Sequence, residues 1–434
     1  MLTKEQNELL CRVEGGAPMG QMARRHWLPV CLAEEAAEPD GAPVRARLLG
    51  EDLVVFRDSK NQLGVLGEYC LHRRASLAFG RNEECGLRCL YHGWKFDVEG
   101  NVVDMPSEAP GAAQRLGKKA KAYPARESGG FIWIWMGPRE EMRTFEPPAW
   151  APKPDIRYAI VKMHAACNWA QVLEGSIDSA HSSSLHSTNM PAAEDVYGST
   201  ATDSAWLRPS KDKAPRLQFE PTDYGFRYAA LRKPINNPEN DQYVRTTLFI
   251  APFTVLIPPN NQYNLAQMLV PIDDVNTMFY WIAWHPDPAK GISQQAWRKF
   301  CAAEVGVDLD ANFKKKRNLE NNYRQDRDAM KRGDWTGIVG IPAQDMAMWE
   351  SMGPITDRSE DHFGSSDLAV AQFRRMMIAA VKKFQAGGAA IGTERRVRYV
   401  ELGSFEGIVP KTTDWRTLGV REERYSDGDM PMVR

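Results

Sequence analysis

The chain has 434 residues, of which 43% are hydrophobic and 26% charged, enough apolar material for two or three domains with cores of their own. Its 55 Lys and Arg residues nearly balance 56 Asp and Glu residues, giving a formal net charge of −1. Nucleic-acid and membrane-surface binding need a basic excess, so we expect neither partner. No apolar run approaches the ~18 residues of a membrane span, and residues 1–16 lack a signal-like apolar stretch, so a cytoplasmic protein is expected.

The first 147 residues predict a short helical segment followed by a small β domain. Leu9, Leu10 and Val13 recur at helical spacing, which indicates helix within an N-terminal segment at 1–40. Residues 41–147 instead alternate short apolar runs with turn residues. The runs that predict strands are 53–56, 64–66, 94–96, 102–103 and 131–136.

A cluster of prolines at 147, 148, 152 and 154 predicts a linker to a larger domain at 155–434. In that domain, helices are predicted at 166–186, 292–304, 319–332 and 366–386, and strands at 216–220, 226–231, 243–250, 262–270 and 278–284. Consecutive strands joined by short turns indicate an antiparallel sheet covered by helices. The predicted fold class is therefore α+β.

Two Cys–His pairs stand close together in the small β domain. Cys70-x-His72 is followed after sixteen residues by Cys89-x-x-His92. Four such residues can hold Zn²⁺, or a Rieske 2Fe–2S cluster with both cysteines on one iron and both histidines on the other. The interleaved order favours the cluster, because each loop then supplies one ligand to each iron. The alternative is that the four residues bind no metal and are unrelated buried or surface side chains.

A second constellation, Asp178-x-x-His181-x-x-x-x-His186, lies near the end of the predicted helix at 166–186. Asp178 and His181 would share one helix face, whereas His186 reaches the same metal only if the helix ends or bulges, for example at residues 182–184. Two histidines leave room for a carboxylate and open positions, as in non-haem Fe(II) oxygenases. The alternative is an ordinary Asp–His hydrogen bond on a helix surface.

The third ligand must come from a distant segment. Asp357, Asp361 and Asp367 lie in a polar stretch and are interpreted as solvated loop charges. Asp345 is surrounded by methionines and Trp349, and a carboxylate in apolar surroundings needs a cationic partner. We therefore predict Asp345, with a buried ion pair as the alternative role.

The motifs CxH…CxxHGW and NW…E…DxxHxxxxH resemble those of the Rieske non-haem iron ring-hydroxylating oxygenases, and the likeness runs over nearly the whole chain. Leu71 departs from the proline common in the family's first loop. The resemblance implies a helix-grip catalytic domain, a Rieske 2Fe–2S cluster and a mononuclear non-haem Fe(II) held by His181, His186 and Asp345. It also implies that Asp178 bridges His181 to a cluster histidine of a neighbouring subunit, His92.

The resemblance further implies an oxygenase subunit that forms a homotrimer, alone or stacked into a hexamer. No GxGxxG fingerprint occurs, so electrons are expected from a separate flavin/iron–sulfur reductase. The expected reaction uses O₂ to convert an aromatic carboxylate, phthalate first, to a cis-dihydrodiol. Members of the family also act on isophthalate, phenoxybenzoate or chlorobenzoate, and monooxygenases and O-demethylases have the same iron ligands, so these reactions stay open. An electron-transfer protein with an inactive second domain is a further alternative.

An aromatic carboxylate needs apolar walls and fixed cations, for which the planar guanidinium fork is well suited. Strand alternation places Arg245 on the same face as Tyr243 and Thr247, and Arg208 follows the histidine motif. These two arginines are the predicted substrate-binding residues, in agreement with the resemblance. The competing candidates are Arg216, Arg227 and Arg232.

Overall fold

The protein is described from a computed structural model, in which residues 1–151, 153, 155–193, 206–260 and 263–419 are described. The chain forms two compact units. The small unit is Val13–Phe145, and the large unit combines Met1–Arg12 with the chain from Glu146 onward. This division differs from the single N-terminal segment expected at 1–40, because its first helix belongs to the large unit.

The secondary structure of the described residues is as follows. The α-helices are α1 (Lys4–Cys11), α2 (Pro18–Ala23), α3 (Ala112–Leu116), α4 (Trp169–Ile177), α5 (Gln294–Phe300), α6 (Arg327–Lys331), α7 (Ile341–Ser351) and α8 (Leu368–Gln385). The strands are β1 (Trp27–Leu32), β2 (Val44–Leu48), β3 (Glu51–Arg57), β4 (Leu63–Gly67), β5 (Arg81–Glu83), β6 (Gly86–Arg88), β7 (Lys95–Phe96), β8 (Val102–Asp104), β9 (Ala125–Ser128), β10 (Phe131–Trp135), β11 (Arg157–Ala165), β12 (Arg216–Thr222), β13 (Gly225–Arg232), β14 (Asp241–Ile250), β15 (Thr254–Asn260), β16 (Tyr263–Pro271), β17 (Thr277–His285) and β18 (Phe405–Pro410).

The small unit is built from three antiparallel sheets, in the orders β1-β10-β9, β2-β3-β4 and β5-β6-β7-β8. Its core includes Phe56, Leu66, Leu87 and Phe96, all less than 2% exposed. The two loops after β4 and β6 carry Cys70 and Cys89 into this same core. The sheets thus hold both predicted cluster loops against one apolar interior.

The large unit contains an antiparallel sheet in the order β11-β17-β16-β15-β14-β13-β12, with β18 added to the first part of β14. Strands β16 and β17 pair from Pro271↔Thr277 outward, and the turn between them closes with Ile272 N–H donating to the Asn276 carbonyl. The sheet is therefore antiparallel, and the α+β fold class is confirmed. Strands β11, β15 and β18 were not predicted.

Helix α4 packs against α7 and against α8, and also against β15 and β16. Asn168 caps the start of α4, because its side chain accepts from the Ala170 N–H. Gly175 lets α7 approach, because a Cβ added there would lie 2.0 Å from Nε1 of Trp349. This close packing brings the end of α4 next to the start of α7.

Several predicted helices are shorter than expected. The helix at 292–304 spans only Gln294–Phe300, and that at 319–332 is a distorted 3₁₀ turn followed by Arg327–Lys331. The prediction of helix through residue 186 is wrong, because α4 ends at Ile177. Among the described residues, no helix is both long and apolar enough to cross a membrane.

Candidate functional site

Two loops of the small unit close with the same pair of backbone hydrogen bonds. The Cys70 N–H donates to the Ala75 carbonyl at 2.9 Å, and the Cys89 N–H donates to the Trp94 carbonyl at 2.8 Å. In each loop the cysteine carbonyl also accepts from the residue four positions later, at 3.0 Å. The two loops therefore present their ligands from equivalent positions.

The sulfur donors and the imidazole donors of these loops differ in burial. Cys70 and Cys89 are buried, whereas His72 and His92 are partly exposed with ring centres 4.4 Å apart. Nδ1 of His72 is buried without a hydrogen-bond partner, as expected for an atom that binds a metal. The four residues fit a cluster with one sulfur-bound and one imidazole-bound iron.

The electrostatic surroundings fit the same ligand roles. Burial raises the pKa of Cys70 to about 11, although backbone N–H groups of His72 and Arg73 donate to its sulfur and oppose this rise. The same N–H groups would stabilise a metal-bound thiolate. Partial burial and the charges of His72 and Arg73 lower the pKa of His92, which favours the neutral imidazole that binds metals.

In the large unit, His181, His186 and Asp345 bring their ligand atoms within 4.8 Å of one another. Asp345 Oδ1 lies 3.0 Å from Nε2 of His186 and 3.5 Å from Nε2 of His181. Asp345 is 7% exposed, so its carboxylate has little contact with water and requires a cation. Two imidazoles and one carboxylate that converge on one point fit a non-haem Fe(II) ion with open coordination positions.

Local hydrogen bonds explain why the chain turns after α4. Asp178 Oδ1 accepts from the Ala180 N–H at 2.7 Å, and the Ser182 hydroxyl donates to the Ser179 carbonyl at 3.1 Å. Such side-chain bonds compete with the helix and let the backbone leave it. We call residues 178–183 the ligand turn. Asp345, by contrast, is in the first part of α7.

Asp178 lies behind His181 on this turn, with its carboxylate 3.5 Å from Nδ1. At this distance the contact is an electrostatic attraction rather than a well-formed hydrogen bond. Burial alone would raise the pKa of Asp178, but His181 and the Ala180 N–H lower it. Burial alone would lower the pKa of His181, but Asp178 and Asp345 outweigh burial and raise it.

The pocket beside the three ligands is lined by apolar and polar side chains of the sheet and helices, including Trp206, Trp281, Ile257, Thr247 and Arg245. Arg245 stands directly across from Glu406 on β18, and its Nη1 binds that carboxylate at 2.7 Å. The predicted Arg245 therefore lies in the pocket wall that contains the ligands.

Arg208 is 4% exposed and binds the ligand turn. Its Nη1 donates to the Ser183 hydroxyl at 2.9 Å, and its Nη2 donates to the Ser182 hydroxyl at 3.1 Å. Burial and the charge of Arg245 lower the pKa of Arg208 to about 10, so the guanidinium still carries its charge at neutral pH.

Arg232, left as a competitor by the sequence, joins this group. It is 2% exposed, and its Nη2 donates to the Ser179 carbonyl at 2.7 Å. Burial and Arg245 lower its pKa as well. Arg227 instead pairs with Glu220, and Arg216 is exposed on β12.

The other predicted carboxylates lie elsewhere in the described structure. Asp357 is exposed and accepts from the Ser359 N–H, and the partly exposed Asp367 lies immediately before α8. Asp361 is not simply solvated, because it pairs with the buried Arg374 at 2.7 Å. The stretch around Asp345 therefore supplies the carboxylate that reaches both histidines.

Two family models match the chain. Residues 26–124 match the Rieske [2Fe-2S] domain, and residues 134–431 match the model described as LigXa C-terminal domain like. The phthalate 4,5-dioxygenase oxygenase subunit of Pseudomonas putida is 58% identical over 97% of this chain and 95% of that relative. The chain belongs to the Rieske ring-hydroxylating oxygenases.

Other relatives agree with this membership. The 3-chlorobenzoate-3,4-dioxygenase oxygenase subunit of Comamonas testosteroni is 35% identical over 96% of this chain and 97% of that relative. The terminal oxygenase of carbazole 1,9a-dioxygenase from Novosphingobium sp. KA1 has a TM-score of 0.55 at 18% identity, covering 90% of this chain and 99% of that chain. This structural likeness shows the shared fold.

This Rieske oxygenase is therefore the oxygenase component of an aromatic-ring dioxygenase system, as expected from the sequence. Its cofactors are a Rieske 2Fe–2S cluster and a mononuclear non-haem iron. It acts on an aromatic substrate with O₂ and receives electrons from a separate reductase. The zinc and electron-transfer alternatives are thereby excluded.

Sequence reasoning missed one residue of the iron site. Gln344 places its Oε1 2.8 Å from Nδ1 of His186. The available signal was its position next to Asp345 within an otherwise apolar stretch, where a polar side chain needs a partner.

Proposed function

We propose that this oxygenase converts phthalate, or a closely related aromatic dicarboxylate, to a cis-dihydrodiol. The observation that carries the proposal is a group of three buried arginines: Arg245 lines the pocket that contains the iron ligands, and Arg208 and Arg232 bond to the ligand turn. The 58% identity to a phthalate 4,5-dioxygenase subunit over nearly the whole chain supports the same substrate class.

Two buried cations that bond to the ligand turn favour an anionic substrate. Arg208 donates to hydroxyls and to the Met190 sulfur, and Arg232 donates to Ser179, so neither pairs with a carboxylate of the described residues. Burying a guanidinium without an anion is unfavourable, and a bound carboxylate removes that cost. Two such cations match the two carboxylates of a phthalate-like substrate, which can bind each guanidinium through paired hydrogen bonds.

In this proposal, Cys70 and Cys89 hold one cluster iron and His72 and His92 hold the other. The ligands of the mononuclear iron are His181, His186 and Asp345. When bound, the cluster supplies single electrons and the mononuclear iron activates O₂ beside the substrate. The protein side chains bind and orient the aromatic ring: the arginines fix the carboxylates, and Trp206 and Trp281 supply apolar walls that restrict water.

We also propose a cytoplasmic homotrimer, alone or stacked as a hexamer, in which Asp178 of one subunit connects His181 with the partner subunit's His92. Support comes from the position of Asp178, which is next to Nδ1 of His181 and also lines the pocket. Around the cluster loops, Leu71, Leu90 and Tyr91 are exposed apolar side chains, a composition typical of subunit contacts. The carboxylate would accept from one imidazole on each side.

The substrate test uses the iron-loaded protein with a matched reductase, NADH and O₂. We expect phthalate to be consumed with formation of a cis-dihydrodiol that carries both atoms of ¹⁸O₂. Absence of a diol from phthalate and from the other benzoates would contradict the proposal. Incorporation of one labelled atom would instead identify a monooxygenase.

The arginine roles have their own test. Replacing Arg208 with Gln removes a charged donor, and we expect KM for phthalate to rise roughly 10–100-fold with a smaller change in kcat. Arg227→Gln, which changes an arginine paired to Glu220, serves as the matched control. An unchanged KM in the Arg208 variant would show that this side chain does not bind the substrate.

A further inference from the structure

The side-chain amide of Gln344 is buried between His186 and two acceptors. Its Oε1 lies 2.8 Å from Nδ1 of His186, while its Nε2 donates to the Ile338 carbonyl at 2.9 Å and to Oδ1 of Asn189 at 3.0 Å. A backbone carbonyl can only accept, so the NH₂ group must face Ile338. The amide orientation is thereby fixed, with its oxygen toward the imidazole.

This orientation determines the tautomer of His186. An amide oxygen can only accept, so Nδ1 carries the proton in the hydrogen bond with Gln344. In a neutral imidazole the lone pair then lies on Nε2. Nε2 lies 3.0 Å from Oδ1 of Asp345, so its lone pair is on the side of the ring where the metal is expected.

The two histidines of the site are supported differently. His181 has the carboxylate of Asp178 on its Nδ1 side, whereas His186 has the neutral amide of Gln344. His186 is also the more buried ring, at 3% exposure. A neutral acceptor fixes the ring without adding a second negative charge next to Asp345.

We propose that Gln344 is a positioning residue for the mononuclear iron, acting by holding the Nε2 lone pair of His186 toward the metal. The inference rests on the proposed ligand roles of His181, His186 and Asp345. It adds a residue that does not touch the metal and that controls how strongly the metal is bound. Partners of this kind commonly change metal affinity by about 10–100-fold.

The experiment measures the Fe(II) dissociation constant of the cluster-containing protein after its mononuclear iron has been removed and ferrous iron is added back. Gln344→Met keeps the size of the side chain but removes the acceptor, and we expect roughly 10–100-fold weaker Fe(II) binding. The visible spectrum of the cluster is an internal reference and should not change. Gln344→Glu retains an acceptor oxygen and should bind Fe(II) more tightly than Gln344→Met.

Gln294→Met is the matched control for loss of a side-chain amide that bonds the backbone. Gln294 of α5 accepts from the Ile160 N–H and donates to the Ile160 carbonyl, away from α4 and α7, so its variant should lose stability but keep Fe(II) affinity. Equal Fe(II) affinity of Gln344→Met and the unsubstituted protein would overturn the role of Gln344 alone, as would equal losses in Gln344→Met and Gln294→Met. An unsubstituted protein that takes up no Fe(II) would overturn the ligand set, and this inference with it.

Discussion

At the scale of single residues, each imidazole of the mononuclear site directs one nitrogen toward the expected metal position and the other toward a supporting side chain. Nε2 of His181 and of His186 face Asp345, and both Nδ1 atoms face a side chain outside the ligand set. A histidine ligand held in this way needs no reorganisation when the metal binds. The preference for metal is thus built into side-chain contacts that exist in the protein alone.

Asp178→Asn tests the bridging role at this scale. The amide is almost the same size, so we expect both irons to be retained. Electron transfer to the mononuclear site should slow about 10–100-fold, because the negative charge that supports His181 is lost. Stopped-flow oxidation of the reduced cluster by O₂ with substrate present measures this step, and Asp155→Asn, at an exposed position, is the control. Normal turnover in Asp178→Asn would refute the bridge.

The site residues that were predicted from the sequence and the one that was missed differ in whether their spacing along the chain forms a recognisable pattern. Cys70, His72, Cys89 and His92 have fixed spacing within a short segment, so the pattern itself is informative. Gln344 and its partner His186 are 158 positions apart. A single amide has no spacing pattern, and only the folded arrangement of α7 against the ligand turn reveals its role.

At the scale of elements, the site depends on the close packing of α4 and α7. α4 ends immediately before Asp178, and Asp345 lies in the first half of α7, so the distance between these helices sets the distance between the histidines and the carboxylate. Gln171 of α4 also donates to the Trp349 carbonyl of α7 at 2.9 Å. The two helices thus form one rigid support for the metal ligands.

Gly175→Ala should disturb this support. On an open helix surface the change would stabilise the protein by up to about 1 kcal/mol, but here the new methyl meets Trp349. We expect overpacking to cost about 1–3 kcal/mol and to lower mononuclear iron content without loss of the cluster spectrum. The checks are thermal unfolding and iron analysis.

The control for this prediction is Gly364→Ala, where an added Cβ meets nothing closer than 3.7 Å. This variant should keep its iron and its stability. If Gly175→Ala retained full iron content, the spacing of α4 and α7 would not control the site.

A buried charge network also connects α4 to the rest of the large unit. Glu174 of α4 pairs with Arg358 at 2.8 Å and with Arg374 of α8 at 2.7 Å. Burial would raise the pKa of Glu174, but the two guanidinium groups outweigh burial and lower it. Its contribution to stability is therefore present above the ordinary carboxyl pKa and is lost as the pH falls through the lowered value.

Glu174→Gln should destabilise the protein by about 3–5 kcal/mol at pH 7, because two buried guanidinium groups lose their anion. The difference from the unsubstituted protein should shrink as the pH falls below 4.5, the ordinary value for this carboxyl group. Denaturant titrations at pH 7 and pH 4 measure both effects. A difference that did not depend on pH would contradict the charged state assigned to Glu174.

Helices and strands were predictable where the alternation of apolar and polar residues was regular. The alternating strands of the large sheet and the periodic helix α8 match the expected positions, because burial on one face imposes a period on the sequence. The ligand turn was mistaken for helix because its segment has no Gly or Pro to mark the end of α4. Side-chain hydrogen bonds of Asp178 and Ser182 end the helix there, and sequence periodicity does not record them.

At the scale of the whole molecule, the two cofactor sites belong to two separate compact units. The cluster loops lie within Val13–Phe145, and the mononuclear ligands lie in the unit that contains α4 and α7. The proposed trimer makes the electron path pass from the cluster of one subunit to Asp178 of its neighbour. Assembly would then be required for activity, even when every subunit has both cofactors.

Mixed assembly of two inactive variants tests this path. Cys89→Ser removes a cluster ligand and leaves the mononuclear site, whereas His181→Ala removes a mononuclear ligand and leaves the cluster. Neither variant alone should turn over phthalate. If electrons cross between subunits, trimers assembled from both chains should regain activity, because an intact cluster can face an intact mononuclear site.

The expected size of the recovery follows from random assembly of equal amounts. Half of the chains have an intact mononuclear site, and half of those have a neighbour with an intact cluster, so activity per chain should reach about a quarter of that of the unsubstituted protein. A path within one subunit would give none, because no single chain holds both sites. Co-assembly of the unsubstituted protein with a chain carrying both substitutions is the second measurement: activity per chain should fall to about a quarter if electrons cross between subunits, but only to about a half if they stay within one subunit.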